Sequence, residues 1–161
     1  MPNKQLSECL ATTFYPRKSA IHDCVDTGTA INLTEVGGEV PYTVDCAGRD
    51  YLSSDPLWHS GNIIKDTIDN AVLSVKLRFT LNSTVNTLIT FRFYIPHPTF
   101  GDIPIDSLQI RAGKNGVDEL HSVVTSLYNG TDSDAKTHGF KIGMSADGNA
   151  AISNRSILIT A

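Results

Sequence analysis

LSVKLRFTLNSTVNTLITFRFYI, residues 73–95, alternates apolar and polar side chains on both sides of Asn82-Ser83-Thr84. Leu73, Val75, Leu77, Phe79 and Leu81 hold the odd positions of the first half; Val85, Ile89, Phe91, Phe93 and Ile95 hold odd positions of the second. Ser74, Lys76, Arg78, Thr80, Asn86, Thr90 and Arg92 stand between them. A two-residue period puts all odd side chains of a strand on one face, so each half predicts a half-buried β-strand. Two arrangements keep the apolar faces together. In the first, Leu81 pairs with Val85 across a three-residue loop, and Phe79, Leu77 and Val75 then meet Thr87, Ile89 and Phe91. A loop one residue shorter or longer pairs odd with even and separates the apolar faces. In the second, the strands belong to opposite sheets and their odd positions face inward from each side. Either way the ten odd side chains are expected in the core.

The even face is less uniform. Leu88 and Tyr94 interrupt Asn86, Thr90 and Arg92, and we expect them at a contact between subunits. Residues 1–29 show no sustained period and contain Pro2, Pro16 and Gly28. They predict an irregular N-terminal arm that packs on a partner, with Phe14 and Tyr15 as its contact residues.

From Ala30 the chain reads as β. AINLTEV (30–36) and YTVDC (42–46) flank the Gly37-Gly38 turn, and residues 47–70 are looped around Gly48, Asp55-Pro56 and Gly61, with a turn of helix in NIIKDTI (62–68). Further strands are expected in SLQIRA (107–112), VDELHSVVTSLY (117–128), HGFKIGMSA (138–146) and AISNRSILIT (151–160). PHPTFGDIP, GKNG, NGTDSDAK and DGN separate them, each rich in residues that accept turn angles; in GKNG, Asn115 or Gly116 takes a positive φ. Leu120, Val124 and Tyr128 fall at a helical spacing, but Val123, Val124 and Thr125 are β-branched, and strand is the reading taken. About eight strands with short turns predict an all-β, antiparallel β-sandwich or jelly roll over residues 30–161 behind the arm. No repeat of 20–50 residues points to a propeller or β-helix.

At 161 residues the chain fits one domain. A net charge of −4 with dispersed basic residues argues against a nucleic-acid binder, which needs a concentrated basic face. No window has the apolar length of a bilayer span, and the first residues lack the apolar core of a secretory signal. Cys9, Cys24 and Cys46 leave one cysteine over, which opposes a disulfide framework and fits synthesis in a reducing cytoplasm.

Chemistry is sparse. The five histidines, His22, His59, His97, His121 and His138, are scattered and form no His-x-His. His22, Cys24 and Cys46 lack the paired spacing of a zinc site, and no metal or cofactor is expected. There is no Gly-x-Ser-x-Gly nucleophile motif and no glycine-rich phosphate loop opening a helix. Asp102, Asp106, Asp118 and Glu119 are the carboxylates a glycosidase reading would draw on. On a strand Asp118 and Ser122 share one face and Glu119 and His121 the other, and we expect a solvated strand there. Trp58 and His59 sit in a loop, where the tryptophan is expected to plug the end of the sandwich; the alternative is that the two offer a stacking surface to a sugar ring. No enzymatic activity is expected.

The arm, the LSVKLRFTL and TLITFRFYIP strands and the ISNRSILIT strand together resemble the small jelly-roll structural proteins of tailed bacteriophages, above all capsid decoration (cement) proteins. The resemblance spans most of residues 30–161 and is one of architecture. It implies a homotrimer on symmetry axes of the assembled shell, clamping the major capsid protein or another virion protein, made in the host cytoplasm and carried in the virion. Related trimeric jelly rolls form phage fibre and receptor-binding heads. The alternative they imply is a receptor- or carbohydrate-binding head, with Trp58 and His59 at the ligand.

Overall fold

The computed structural model describes residues 19–21, 28–34, 38–44, 58–59, 63–65, 70–130 and 133–160. In chain order its strands are β1 (Ser19–Ile21), β2 (Ile31–Leu33), β3 (Val40–Pro41), β4 (Trp58–His59), β5 (Ile63–Ile64), β6 (Ala71–Ser83), β7 (Leu88–His97), β8 (Gly101–Arg111), β9 (Glu119–Asn129), β10 (Lys141–Ala146) and β11 (Ala150–Thr160). A short helix, α1 (Asp134–His138), precedes β10. The strands form a β-sandwich of two antiparallel sheets. One runs β9–β6–β11, with β2 and β1 at opposite ends of the far edge of β11; the other runs β8–β7–β10–β3. The small β4–β5 pair joins the second through a bridge between Ile64 and Phe140.

The two halves of 73–95 lie in opposite sheets, the second of the arrangements above. They are not bonded to each other: β6 pairs with β9 and β11, and β7 with β8 and β10. The corner between them is a tight turn in which the Thr87 N–H donates to the Thr84 carbonyl at 3.3 Å and Asn86 takes φ 67°. Leu73, Val75, Leu77, Phe79 and Leu81 face Ile89, Phe91 and Phe93 across the interior, all with no exposed surface. Ile95 is half-buried. Val85 departs from expectation: it sits on the turn and is 49% exposed, because the alternation of a strand does not continue through a corner. Phe79 and Phe91 close the gap between sheets with ring centres 5.1 Å apart, and Tyr42 meets the edge of Phe91 at 6.2 Å.

Strand pairing is nested. β2 pairs with β11, β3 with β10, β6 with β9, and β7 with β8, as if one long hairpin with its tip at 98–100 were folded over. Two irregularities interrupt the ladders. In β11, Ser153 faces Thr80 but Ser156 faces Arg78, so Asn154 and Arg155 together oppose one residue of β6. Asn154 takes φ 46° to absorb the extra residue. The bulge turns Arg155 inward, where it is 4% exposed and donates to the carbonyls of Thr43 (2.7 Å), Thr29 (3.2 Å) and Ile152 (3.2 Å). Tyr42 answers from the facing sheet: its hydroxyl lies 3.1 Å from the Arg78 carbonyl and 3.0 Å from that of Ser156. Arg155 and Tyr42 thus tie the bulge to the 42–43 segment in both directions. In the second irregularity, Phe93 faces Asp106 while Tyr94 faces Pro104, leaving Ile105 as the extra residue of β8.

Several boundaries differ from the sequence reading. Strand β8 begins at Gly101 rather than 107, because an edge strand tolerates Pro104, whose missing N–H need not serve a ladder. The expected helical turn in 62–68 is replaced at Ile63–Ile64 by β5, which pairs with Trp58–His59; β-branched residues favour the extended form. The strand near 42–46 is assigned earlier, at Val40–Pro41, although the Tyr42 N–H still donates to the Ile142 carbonyl at 2.8 Å. Residues 134–138, expected to be turn and strand start, form α1. Ser133 caps it by accepting from the Lys136 N–H, and Gly139 ends it at φ 75°. Residues 119–129 are strand, and Gly116 takes the positive φ expected in GKNG. Three residues of the expected arm, Ser19–Ile21, lie as β1 against Leu158–Thr160 of β11.

Candidate functional site

Of the residues singled out for contact, Phe14 and Tyr15 lie outside the described residues. Leu88 is half-buried at the start of β7, its N–H held by the Asp147 carboxylate at 2.7 Å. Tyr94 is also half-buried and belongs to a polar cluster on the outer face of the second sheet. Its hydroxyl donates to the Glu39 carboxylate, which also accepts from Arg92 at 3.1 Å. Burial first, and then the bond to Glu39, raise the Tyr94 hydroxyl above its usual range; the bond to Glu39 is also the main cause that raises Arg92. Glu39 reaches both by crossing Gly143 of β10, where a Cβ would stand 1.8 Å from its carboxylate. Arg92 is 47% exposed, so the cluster is a surface ion pair in strength. Gly143→Ala and Glu39→Ala should each cost about 0.2–1 kcal/mol in urea melts. Together they should cost no more than either alone, since both remove the same contacts; full additivity would show that Gly143 does not serve Glu39.

The backbone of Trp58 and His59 pairs with β5; their side chains lie outside the described residues, as do His22, Cys24 and Cys46. The expected solvated strand at 118–122 is only half realised. Asp118 accepts from the Asn82 side chain at 2.7 Å, but Glu119 and His121 point into the sandwich margin rather than to solvent. This is the parity of β9, whose odd residues line the interior with Val123 and Leu127. Glu119 accepts from the N–H groups of Gly113 and Lys114 at 3.0 and 3.1 Å, holding the GKNG turn. The His121 ring stacks on Phe79 at 5.8 Å. The carboxylates a glycosidase reading needs are also engaged: Asp106 accepts from Thr125 at 2.7 Å, and Asp102 pairs with Lys141.

Tertiary folding makes one cluster that the sequence did not suggest. His97, Asp134 and His138 bring ligand-type atoms within 4.8 Å of one another where β7 ends beside α1. Residues about forty positions apart in the chain meet there, so no spacing signal exists. Its hydrogen bonds oppose a metal. The His97 Nδ1 accepts from the N–H groups of both Thr99 and Phe100 at 3.1 Å, which places the proton of the neutral ring on Nε2, 3.7 Å from Asp134. Ligation through Nε2 would move that proton to Nδ1, against two N–H donors. The cluster serves as a clasp between the 98–100 turn and α1, with His97 also stacked on Phe100 at 4.7 Å.

Two further surface features stand out. A hollow of about 420 Å³ opens at one end of the first sheet, lined in part by Asn32, Thr34, Asn82, Thr84, Asn115 and Asn149. On the outer face of that sheet, Leu120 (72% exposed), Val124 (55%) and Tyr128 (60%) of β9 form an apolar stripe, widened by Val72 of β6 beside Tyr128. The Tyr128 hydroxyl donates to the Asn70 side chain at 2.7 Å, which fixes its ring over the strand. Alternation alone contains the signal for this stripe. Leu120, Val124 and Tyr128 share one face of a strand as readily as one side of a helix, with Ser122 and Ser126 between them.

Comparison with protein-family models and with curated proteins finds no match to this chain.

Proposed function

We propose that this chain is a structural subunit of a virus particle, a capsid decoration (cement) protein of the tailed-phage kind that binds the assembled shell through the major capsid protein or another virion protein. The observation that carries this reading is the adhesive outer face of β9. Apolar side chains stand there on a sheet edge with no neighbour among the described strands, which suits a scaffold that works by contact. The nested pairing β2–β11, β3–β10, β6–β9 and β7–β8 supports taking the sandwich as a jelly roll. The polar clusters described above are spent on turns and ion pairs, which favours binding over catalysis. The resemblance that suggested this role implies three copies on a shell axis, with residues 1–29 reaching to the neighbouring protein.

The alternative, a receptor- or carbohydrate-binding head, draws support from the hollow, a mainly apolar surface to which asparagine and threonine bring amides and hydroxyls suited to a neutral sugar. Cosedimentation separates the two. The full chain should pellet with assembled shells of its own particle, and the chain lacking residues 1–18, which keeps β1 and the Thr29 carbonyl held by Arg155, should remain in the supernatant. Failure of the full chain to pellet, with saturable glycan binding in calorimetry that is lost on substituting Asn115 at the hollow, would replace the decoration reading with the head reading.

A further inference from the structure

We infer that β9 joins two copies of this chain by antiparallel edge-to-edge pairing about a two-fold axis at Val124. Strand β9 ends its sheet, with β6 on one side and no described strand on the other. A free edge offers a row of unpaired N–H and C=O groups, and monomeric proteins guard such edges with proline, bulges, charges or very short strands. The other edges here are guarded. Strand β8 has Pro104, the extra residue Ile105, and the charges of Asp102 and Asp106. β1, β2 and β3 are two or three residues long. β9 runs eleven residues, ELHSVVTSLYN, without proline, glycine, lysine or arginine, and its one carboxylate, Glu119, stands at its first position. It is the unguarded edge among the described strands.

The sequence of β9 selects the occupant. Read outward from Val124, the exposed face is palindromic in character: Ser122 and Ser126 at two residues, Leu120 and Tyr128 at four. With Val124 on the axis, Leu120 of one copy faces Tyr128 of the other, twice by symmetry, and Ser122 faces Ser126. Sliding the register by two residues sets Leu120 against Ser126 or Gly130 and breaks every apolar pair. A slide by one sets the outer face of one copy against the inner face of the other. The inner positions also agree, with Val123 beside Thr125, His121 beside Leu127, and Glu119 beside Asn129. No like charges oppose each other. A self-complementary patch is what an isologous contact requires, and the pairing makes one continuous sheet across both copies. It sets two-fold symmetry where the resemblance implies three-fold, and it stands independently of the virion reading: loss of shell binding with an intact dimer would sink only that reading.

Sedimentation equilibrium of the full chain tests this. The expected mass is twice the 17.4 kDa of one chain. Val124→Lys, which sets two like charges together on the axis, should weaken association at least tenfold with the far-UV circular dichroism unchanged, since Val124 is exposed. Register is tested by charge exchange. Leu120→Glu alone should weaken the dimer, and Leu120→Glu with Tyr128→Lys should restore it, because the introduced charges then meet as opposite pairs between copies. Within one chain the two positions are about 26 Å apart along the strand and cannot pair. A monomer at about 0.1 mM, a mass of three chains, a Val124→Lys variant that associates like the parent, or no restoration in the double variant would each overturn the inference.

Discussion

Arg155→Met should lower the unfolding free energy by about 2–4 kcal/mol, seen as an earlier urea midpoint at unchanged slope. The guanidinium is buried inside the β11 bulge and donates to three carbonyls belonging to separate stretches of chain, Thr29, Thr43 and Ile152. Methionine fills much of the same volume but donates nothing, so the cost measures the bonds rather than a cavity. The carbonyls left behind lose their donor in an interior position, where an unsatisfied group costs more than a made bond contributes. Lysine at 155 should recover less than half the loss, because a single ammonium cannot reproduce the spread of the planar fork. Tyr42→Phe removes the return contact to Arg78 and Ser156. Since both residues secure the same bulge to the same segment, the double variant should cost less than the sum of the singles. Strict additivity would show that the two ties act separately, and an unchanged midpoint in Arg155→Met would remove the clasp from the account of stability.

Phe91→Ala should be more damaging still, at about 3–5 kcal/mol. Phe91 projects from β7 to the centre of the sandwich, against Phe79 from the opposite sheet and the edge of Tyr42. All three are buried, so truncation opens a cavity whose walls belong to long strands and cannot collapse. Phe91→Leu should cost clearly less, because most of the volume is retained. Total stabilities of single domains are about 5–15 kcal/mol, so the alanine variant should unfold well below the parent temperature in a thermal melt. A loss under about 1 kcal/mol would mean that the sheets close over the gap, contrary to the rigid packing described here.

The core was legible because alternation is local. Odd positions from Leu73 to Leu81 and from Ile89 to Phe93 needed no knowledge of which strands are neighbours, and both arrangements considered for them bury the same face. Which strands pair was not legible, since β6 lies beside β9 and β11, and only the loop length between β6 and β7 spoke to their relation. The bulge left a trace that was open to reading. Buried positions in the last strand change from even (Ala150, Ile152) to odd (Ile157, Ile159), which requires one extra residue between them. For contact surfaces, the alternation of β7 directed attention to Leu88 and Tyr94, whereas the most exposed apolar stripe lies on β9. There the spacing of Leu120, Val124 and Tyr128 fits one side of a helix and one face of a strand alike, and only the pairing with β6 turns that face outward. The meeting of His97 with Asp134 and His138 follows from the folding of β7 against α1 and has no sequence signature.

Nested pairing has a consequence for the timing of folding. β11 lies inside its sheet, bonded to β6 on one side and to β1 and β2 on the other, yet it is synthesised after every other described strand. Contacts between residues so distant in sequence form slowly because of the loop entropy they must overcome. On the ribosome, β6 therefore waits with one edge bare until residues 150–160 emerge, and during that interval the nascent chain is open to wrong pairing with its neighbours.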